Sequence, residues 1–412
     1  MAQLNITLNQ EEILQLLSVD HDKAFCTILQ NSLNSILKAE SQDQLQVAPY
    51  ERSDKRTDSR NGSRERDLKT RIGRITLTVP RHRNLPFKTM IFDNYSRSES
   101  ALITAMAEMV VDGISTRKVT RVIETLCGTN VSKSSVSAVC KDLDQEVSAF
   151  RSRPIEGNYP FLTVDATYFK VRENNRVTSK ALMIAYGTNR QGKREILGFS
   201  AYRNESKATW TDFLKGLKKR GLCGIMMITS DAHEGIINAI NEVFPDVPWQ
   251  RCQFHFSRNI SDKAPKKYQS GIRSELQDMF NCKTLKEARA RRSQIITDYK
   301  DVAEEAMSCL DEGFESAMTV MTLPEGMRKY YRTSNHIERL NKELKRRSKV
   351  IGIFPNEGSL IRLMGSVLIE QNSISQARKS IFGEDAYQRL LESNVREELH
   401  HIAEEQTVLL SA

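Results

Sequence analysis

Between residues 160 and 256 two hydrophobic periods alternate in a fixed order, and that order restricts the fold more than any other feature of the chain. "FLTVDATYFKV" reads as a strand carrying Phe161, Val164, Tyr168 and Phe169. "KALMIAYGT" and "KREILGFSAY" follow as two more strands, joined by the turn "NRQGK". "KATWTDFLKGLKKRG" has helical spacing, with Trp210 on its core side and Gly221 at its end. "GIMMITSD" is a buried strand, "GIINAINEVF" a helix and "PWQRCQFHF" a last strand. The order β-β-β-α-β-α-β predicts an α/β fold in which helices cover a mixed sheet.

Two carboxylates stand out in this segment. Asp165 lies inside an apolar strand, where a charge needs a partner or a cation. Asp231 closes the buried strand "MMITSD", and ligands of α/β sheets gather at such strand ends. If the first and fourth strands are neighbours, the two carboxylates meet. Like charges that close call for a cation or a shared proton, and hard oxygen donors suit Mg²⁺ or Mn²⁺. Two such ions on carboxylates serve attack at a phosphate.

A third carboxylate is found in "RTSNHIERLNKELKRRSKVIGIFPN". Asn335 as a cap with Glu338 three residues on would be a capping box. That alone leaves the following charge unexplained. Six Lys or Arg residues lie from Arg339 to Lys349. Arg339, Lys342, Arg346 and Lys349 fall on one helical stripe with Lys345 beside it, a surface suited to phosphates, while Glu338 faces the ions. Glu343 supplies a salt-bridge partner for only part of the stripe.

The charge balance agrees with a polyanionic partner. The 412 residues carry a net charge of +9. From Glu51 to Lys88 there are twelve Lys/Arg and five Asp/Glu, so most of the excess sits in a short basic arm. Within it "SDKRTDSRNGSRERD" lacks periodicity and is expected to be mobile when free. "GRITLTVPRHR" alternates as a short strand stopped by Pro80, with "KTMIF" as its hairpin partner. The seven cysteines are odd in number and contain no C-x-x-C pair, which favours a reducing cytosol. No apolar run is long enough to cross a membrane.

Helices flank these segments. "EEILQLL" and "AFCTILQNSLNSILKAE" form two amphipathic helices whose apolar faces need a partner. In "ISTRKVTRVIETLCGTNVSKSSVSAVCKDLDQEV", Ser115 caps a helix with Val119, Val122, Ile123 and Leu126. Gly128 ends it, and Ser132 caps a second helix with Val136, Val139 and Leu143. This describes either a helix-turn-helix or an ordinary helical hairpin. On the second helix Lys133, Ser134, Ser137 and Lys141 share the polar face, and these residue types suit DNA contact. Residues 257–330 carry helical patterns only, as does the C-terminal segment.

Taken together, "TVDATYFKVR", "TSDAHEGI", "WQRCQFHF" and "SNHIERLNKELKRRSKVIGIFPN" closely resemble the Mutator-type family of bacterial insertion-sequence transposases. The four motifs agree in sequence and order, and the resemblance spans about three quarters of the chain. It implies a ribonuclease H-like mixed-sheet catalytic core interrupted by an all-helical insertion, with mainly helical N-terminal DNA-binding domains. It also implies a DDE triad of Asp165, Asp231 and Glu338. Glu338 lies 107 positions after Asp231, as an insertion before the third acid requires. Cys252 and His255 match the family's C-x-x-H motif. Two ligands fall short of a four-coordinate zinc site, so their expected role is structural or DNA-proximal. His233 is expected either to cap a helix or to approach the site, and His336 shares that ambiguity.

The expected division is 1–50, a helical region and candidate dimerisation element; 51–96, a basic arm with a small β unit; 97–150, the helix-turn-helix domain; 158–256, the first part of the core; 257–330, the insertion; and 331–412, which completes the core. The expected protein is a cytoplasmic, nucleoid-associated transposase that uses two Mg²⁺ or Mn²⁺ ions. It acts as a dimer or higher oligomer on the terminal inverted repeats and target DNA, without membrane contact. The resemblance further implies joining of one element end to the other in a circle. The rival readings are a catalytically decayed repressor and a structure-selective nuclease.

Overall fold

The computed structural model describes residues 21–411 apart from 50, 52, 54–55, 71–72, 90, 92–99, 128–130 and 393. The expected helix at "EEILQLL" and the break at Gly128 lie outside the described residues. The chain divides into two compact units, Met1–Asp142 and Leu143–Ala412.

In the first unit, helix α1 (His21–Leu45) packs on a two-stranded antiparallel ribbon of β1 (Arg60–Thr70) and β2 (Gly73–His82). Leu29, Leu33 and Leu37, four apart on α1, meet Leu68, Ile75, Leu77 and Val79. The ribbon corrects two expectations. Part of the basic segment is ordered as β1, and β1, rather than "KTMIF", pairs with β2. The segment reads as polar because one face is charged and exposed: Thr76 donates to Asp67 at 2.9 Å, with Arg74 3.9 Å from the same carboxylate. Pro80 does not stop β2, because a two-stranded ribbon offers it an outer edge where no amide is required.

Three further helices, α2 (Ser100–Val111), α3 (Thr116–Cys127) and α4 (Lys133–Val139), enclose Met106, Val119, Ile123 and Val136. Ser132 caps α4, its Oγ accepting from the Ser135 amide at 3.1 Å. The second helix is shorter than expected. After Val139 the backbone tightens into a 3₁₀ turn, and Leu143 opens α5 (Leu143–Ser152) in the second unit.

The second unit is built on a mixed sheet of β3 (Phe161–Glu173), β4 (Arg176–Thr188), β5 (Arg194–Tyr202), β6 (Met227–Ser230), β7 (Trp249–Arg251) and β8 (Ile353–Phe354). Its order is β5-β4-β3-β6-β7, with β8 pairing the far end of β3. Helices α6 (Lys207–Lys219) and α7 (Glu234–Val243) cover one face. There Leu162, Val164, Met183 and Ile228 pack against Trp210, Leu214, Ile236 and Ile240. After α6 the chain turns at Gly221 with φ +110°, where a Cβ would strike the Ile155 carbonyl at 2.5 Å.

Beyond β7 the chain is helical: α8 (Gln253–Lys263), α9 (Lys266–Phe280), α10 (Leu285–Tyr299), α11 (Glu304–Met318), α12 (Glu325–Tyr331) and α13 (Asn335–Ser348). The last expected strand is therefore corrected, because "QFHF" belongs to α8. Phe256 and Ile260 are one turn apart and fully buried in the helical core, and Gln253 donates to the Ala317 carbonyl at 2.8 Å. Period 3.6 wins there because the partner is a helix and not a strand. After β8, helices α14 (Glu357–Ala377), α15 (Glu384–Glu392) and α16 (Val395–Ser411) close the unit.

Candidate active site

The site is assembled at the middle of β3. β3 and β6 run parallel, with Phe161 opposite Met227, Leu162 opposite Ile228 and Thr163 opposite Thr229. The same offset carries Asp165 to Asp231, which follows the last residue of β6. Side chains alternate along strands, so both acids fall on the face opposite Leu162, Val164 and Ile228. On this edge β3 pairs β6 up to Thr163 and β8 from Lys170. Helix α13 lies along the stretch between. Its Asn341 donates to Asp165 Oδ2 at 2.7 Å, and its Lys345 donates to the Tyr168 carbonyl.

Burial, with the negative charge of Asp231 next to it, pushes the Asp165 carboxyl up to about 7. The Ala166 amide, which donates to Asp165 Oδ1 at 2.9 Å, opposes this only in part. Glu205 is also raised, by burial and then by Asp231. Asp165, Asp231 and Glu205 thus form an acidic cluster.

Glu338 sits in the first turn of α13, where the positive end of the helix favours an acid. The expected capping box is not formed. Ser334, not Asn335, is the cap residue; its carbonyl accepts the Glu338 amide at 3.0 Å. Ser334 Oγ lies 3.4 Å from Glu338 Oε1. Asn341, one turn on, turns the same face toward Asp165.

His255 Nε2 is 3.8 Å from Glu338 Oε1. The Cys252 side chain beside it, with Glu338 and Asp165, raises His255 to about 9 against the opposing effect of burial. Glu338 and Asp165 share one neighbourhood, because Asn341, one turn after Glu338, is bonded to Asp165. The potential ligand atoms of Cys252, His255 and Glu338 all lie within 4.8 Å of one another. The C-x-x-H pair therefore adjoins the acids, at the start of α8 and not at a strand end.

The remaining histidines separate. His233 is the cap of α7, its Nδ1 accepting from the Gly235 amide at 3.1 Å. His336 lies against Tyr186 with ring centroids 4.9 Å apart and the planes tilted by 53°, and burial holds it well below the ordinary histidine range. Trp210 is fully buried, as its helical position foretold.

Of the basic stripe, Arg339, Lys342, Lys345, Arg346 and Lys349 are all exposed. They are not equivalent. Lys345 is tethered to β3 and lies over the Phe169 ring at 4.4 Å, and Arg346 makes two bonds to Glu343 at 2.7 and 2.6 Å. In the first unit, Lys133, Ser134, Ser137 and Lys141 are likewise exposed on and just after α4.

Sequence reading missed Asn341 and Arg347. Arg347 is buried and pairs with Glu343 at 2.7 Å and Glu370 at 3.1 Å, so it fixes α13 to α14 and is no part of a DNA-facing stripe. The helical spacing Glu338–Asn341 was the signal for the former. Nothing local marked Arg347 among its basic neighbours.

A mixed α/β unit with an acid on one strand, an acid just past the end of its neighbour and a third on an adjoining helix defines a class of candidate phosphodiester-processing proteins. The chain belongs to the Transposase, Mutator family, which matches residues 1–377. It is 41% identical over 387 residues to the transposase for insertion sequence element IS256 in transposon Tn4001 of Staphylococcus aureus, covering 92% of this chain and 99% of that protein. It is 39% identical to the transposase for insertion sequence element ISRM5 of Rhizobium meliloti, covering 83% and 86%. It is 37% identical to the transposase for insertion sequence element IS1081 of Mycobacterium tuberculosis, covering 84% of each. Transposases are nucleic-acid-cleaving enzymes that act on DNA. Among the described residues no helix is long and apolar enough to cross a membrane.

Proposed function

We propose that this chain is a DDE transposase of an insertion sequence, with a ribonuclease H-like core in which Asp165, Asp231 and Glu338 hold two Mg²⁺ or Mn²⁺ ions. The observation that carries this is the β3–β6 register, which brings Asp231, just past the end of β6, toward Asp165 on β3, while Asn341 of the helix that bears Glu338 is bonded to Asp165. The donors suit hard cations. The raised Asp165 carboxyl marks a charge that a cation would relieve, and buried Asn341 Oδ1 is an oxygen without a hydrogen-bond partner. Cys252 and His255 offer softer donors and are not assigned to these ions.

When bound, the ions supply charge neutralisation at the attacked phosphate and activation of the attacking oxygen. The chain's own residues do the positioning. Asn341 orients Asp165, and the start of α13 presents Glu338. Arg339, Lys342, Arg346 and Lys349 hold neighbouring phosphates, with Lys345 as a tethered member of the same surface. In the first unit, Lys133, Ser134, Ser137 and Lys141 on the helix-turn-helix, together with the basic ribbon, bind the terminal inverted repeat. Water attacks a phosphodiester at the element end and displaces its 3′-oxygen; the freed 3′-hydroxyl attacks a second phosphodiester in line and displaces the 3′-oxygen of that strand. Joining two ends calls for two subunits or more.

The test uses DNA carrying the element's own ends. Alanine at Asp165, Asp231 or Glu338 should abolish Mg²⁺-dependent cleavage and leave repeat binding intact. Normal cleavage by any one of the three would overturn the triad.

A further inference from the structure

The helical block between β7 and α13 separates Asp231 from Glu338 in sequence, yet its two ends are clasped together. The Gln253 amide donates to the Arg332 carbonyl at 2.9 Å, and Thr229 Oγ1 donates to the Tyr331 carbonyl at 3.1 Å. Cys252 stands at the centre of this clasp and is fully buried. Its amide donates to the carbonyl of Ser230, the neighbour of Asp231, at 2.8 Å. Its Sγ accepts from the Ser334 amide at 3.4 Å and from the Ser334 hydroxyl at 3.2 Å. The same hydroxyl is 3.4 Å from Glu338 Oε1.

We infer that Cys252 is a positioning residue that fixes Glu338 relative to Asp231, acting through Ser334. Its main chain is bonded to the strand end that carries one acid, and its side chain to the helix start that carries the other. A hydroxyl has one proton and serves one acceptor at a time. When it turns to Glu338, Sγ still keeps the Ser334 amide, so the helix start stays anchored while the carboxylate is steered. A thiol suits this place because sulfur is a long, soft acceptor in a site closed to water. The inference rests on the reading of Glu338 as a metal-holding carboxylate. Groups that orient metal ligands commonly change affinity or activity by about 10–100-fold when removed.

The full-length protein should be titrated with Mn²⁺ by calorimetry, and the Mg²⁺ concentration for half-maximal cleavage measured alongside. Cys252→Ala and Ser334→Ala should each weaken Mn²⁺ binding and raise the half-maximal Mg²⁺ by about tenfold. Affinity for repeat DNA should not change. Cys252→Ser should recover part of the loss, because a hydroxyl accepts the same bonds with a shorter reach. If Cys252→Ala does not fold, Ser334→Ala carries the test, since it removes one hydroxyl and leaves the core packed. Wild-type metal dependence in a folded Cys252→Ala or in Ser334→Ala overturns the inference. Asp165→Asn and Glu338→Gln serve as controls. If they lose Mn²⁺ binding while the Cys252 and Ser334 variants keep it, only the positioning role fails. If they bind Mn²⁺ as wild type does, the metal site itself fails and the inference with it.

Discussion

Asn341 donates a 2.7 Å hydrogen bond to Asp165 Oδ2 across the interface of α13 and β3. The bond links the strand that carries one acid to the helix that carries another, Glu338, three residues earlier. Asn341→Ala removes the donor beside a carboxyl already raised by burial, which frees Asp165 to rotate. Cleavage should fall by about 10–100-fold with repeat binding unchanged. Asn341→Asp should be worse, because it sets a like charge against Asp165. Single-turnover cleavage and a gel-shift measurement on the same preparations check both. An Asn341→Ala protein with wild-type cleavage would remove Asn341 from the site.

The raised Asp165 carboxyl also has a stability consequence with a definite sign. Its ordinary value is 3.8, and in the folded protein it stands at about 7. Between those values the folded state holds more proton than the unfolded state, so metal-free stability falls as pH rises through that window. Asp165→Asn removes this penalty. At pH 8, without divalent ions, the variant should melt above wild type, by about 2–4 °C per kcal/mol relieved. Near pH 4 the two should converge. Added Mn²⁺ should raise the wild-type melting temperature more than that of the variant. Identical pH profiles for the two proteins would count against burial of this carboxyl.

The extent to which this site could be read in sequence depends on the range of the interaction concerned. Asp165 and Asp231 were legible because one sits in an apolar strand and the other directly follows one, and the β-β-β-α-β order allows those strands to be the neighbours that they are. Glu338 was legible as a helix-start acid before a basic stripe. The start of α8 was not, because "QFHF" has the residues of a strand and becomes helical only by packing Phe256 into the helical core. β1 was missed because its charged residues show no alternation, and its order comes from pairing with β2. Lys345 and Arg347 look alike in sequence. Only the folded chain puts one over Phe169 and buries the other between Glu343 and Glu370.

The exposed face around α4 should divide by residue type. Lys133 and Lys141 are suited to phosphates, so alanine at either should weaken repeat and unrelated DNA alike, and lower the salt slope of binding by about 1. Ser134 and Ser137 are exposed hydroxyls of a type that suits base edges. Alanine there should cost about 1–3 kcal/mol on the cognate repeat and little on unrelated DNA. Ser134 Oγ also lies 2.8 Å from the capping Ser132 hydroxyl, so its variant needs a melting curve as control. Fluorescence anisotropy over a salt series, with repeat and scrambled duplexes, separates the two classes. A uniform effect of all four substitutions would turn this face into a non-specific surface.

Glu338→Gln distinguishes the two roles that a first-turn acid can play. The amide oxygen still accepts from Ser334 Oγ, now 3.4 Å from Oε1, and the backbone bond from the Glu338 amide to the Ser334 carbonyl is untouched. The helix start should therefore survive, at a cost of about 0.3–1 kcal/mol for the lost interaction with the helix dipole. What disappears is the carboxylate that lies 3.8 Å from His255 Nε2. If Glu338 only begins a helix, cleavage should be nearly normal. If it holds a cation at the reacting phosphate, several kcal/mol of transition-state stabilisation goes with it, a rate loss on the order of 10³ or more. We expect the second outcome, with the melting temperature in the absence of metal within about 2 °C of wild type. His255 loses one of the acids that raise it, so its titration should move down from about 9 in the variant, observable by proton NMR of the imidazole. That shift reports the geometry of the site independently of the cleavage assay.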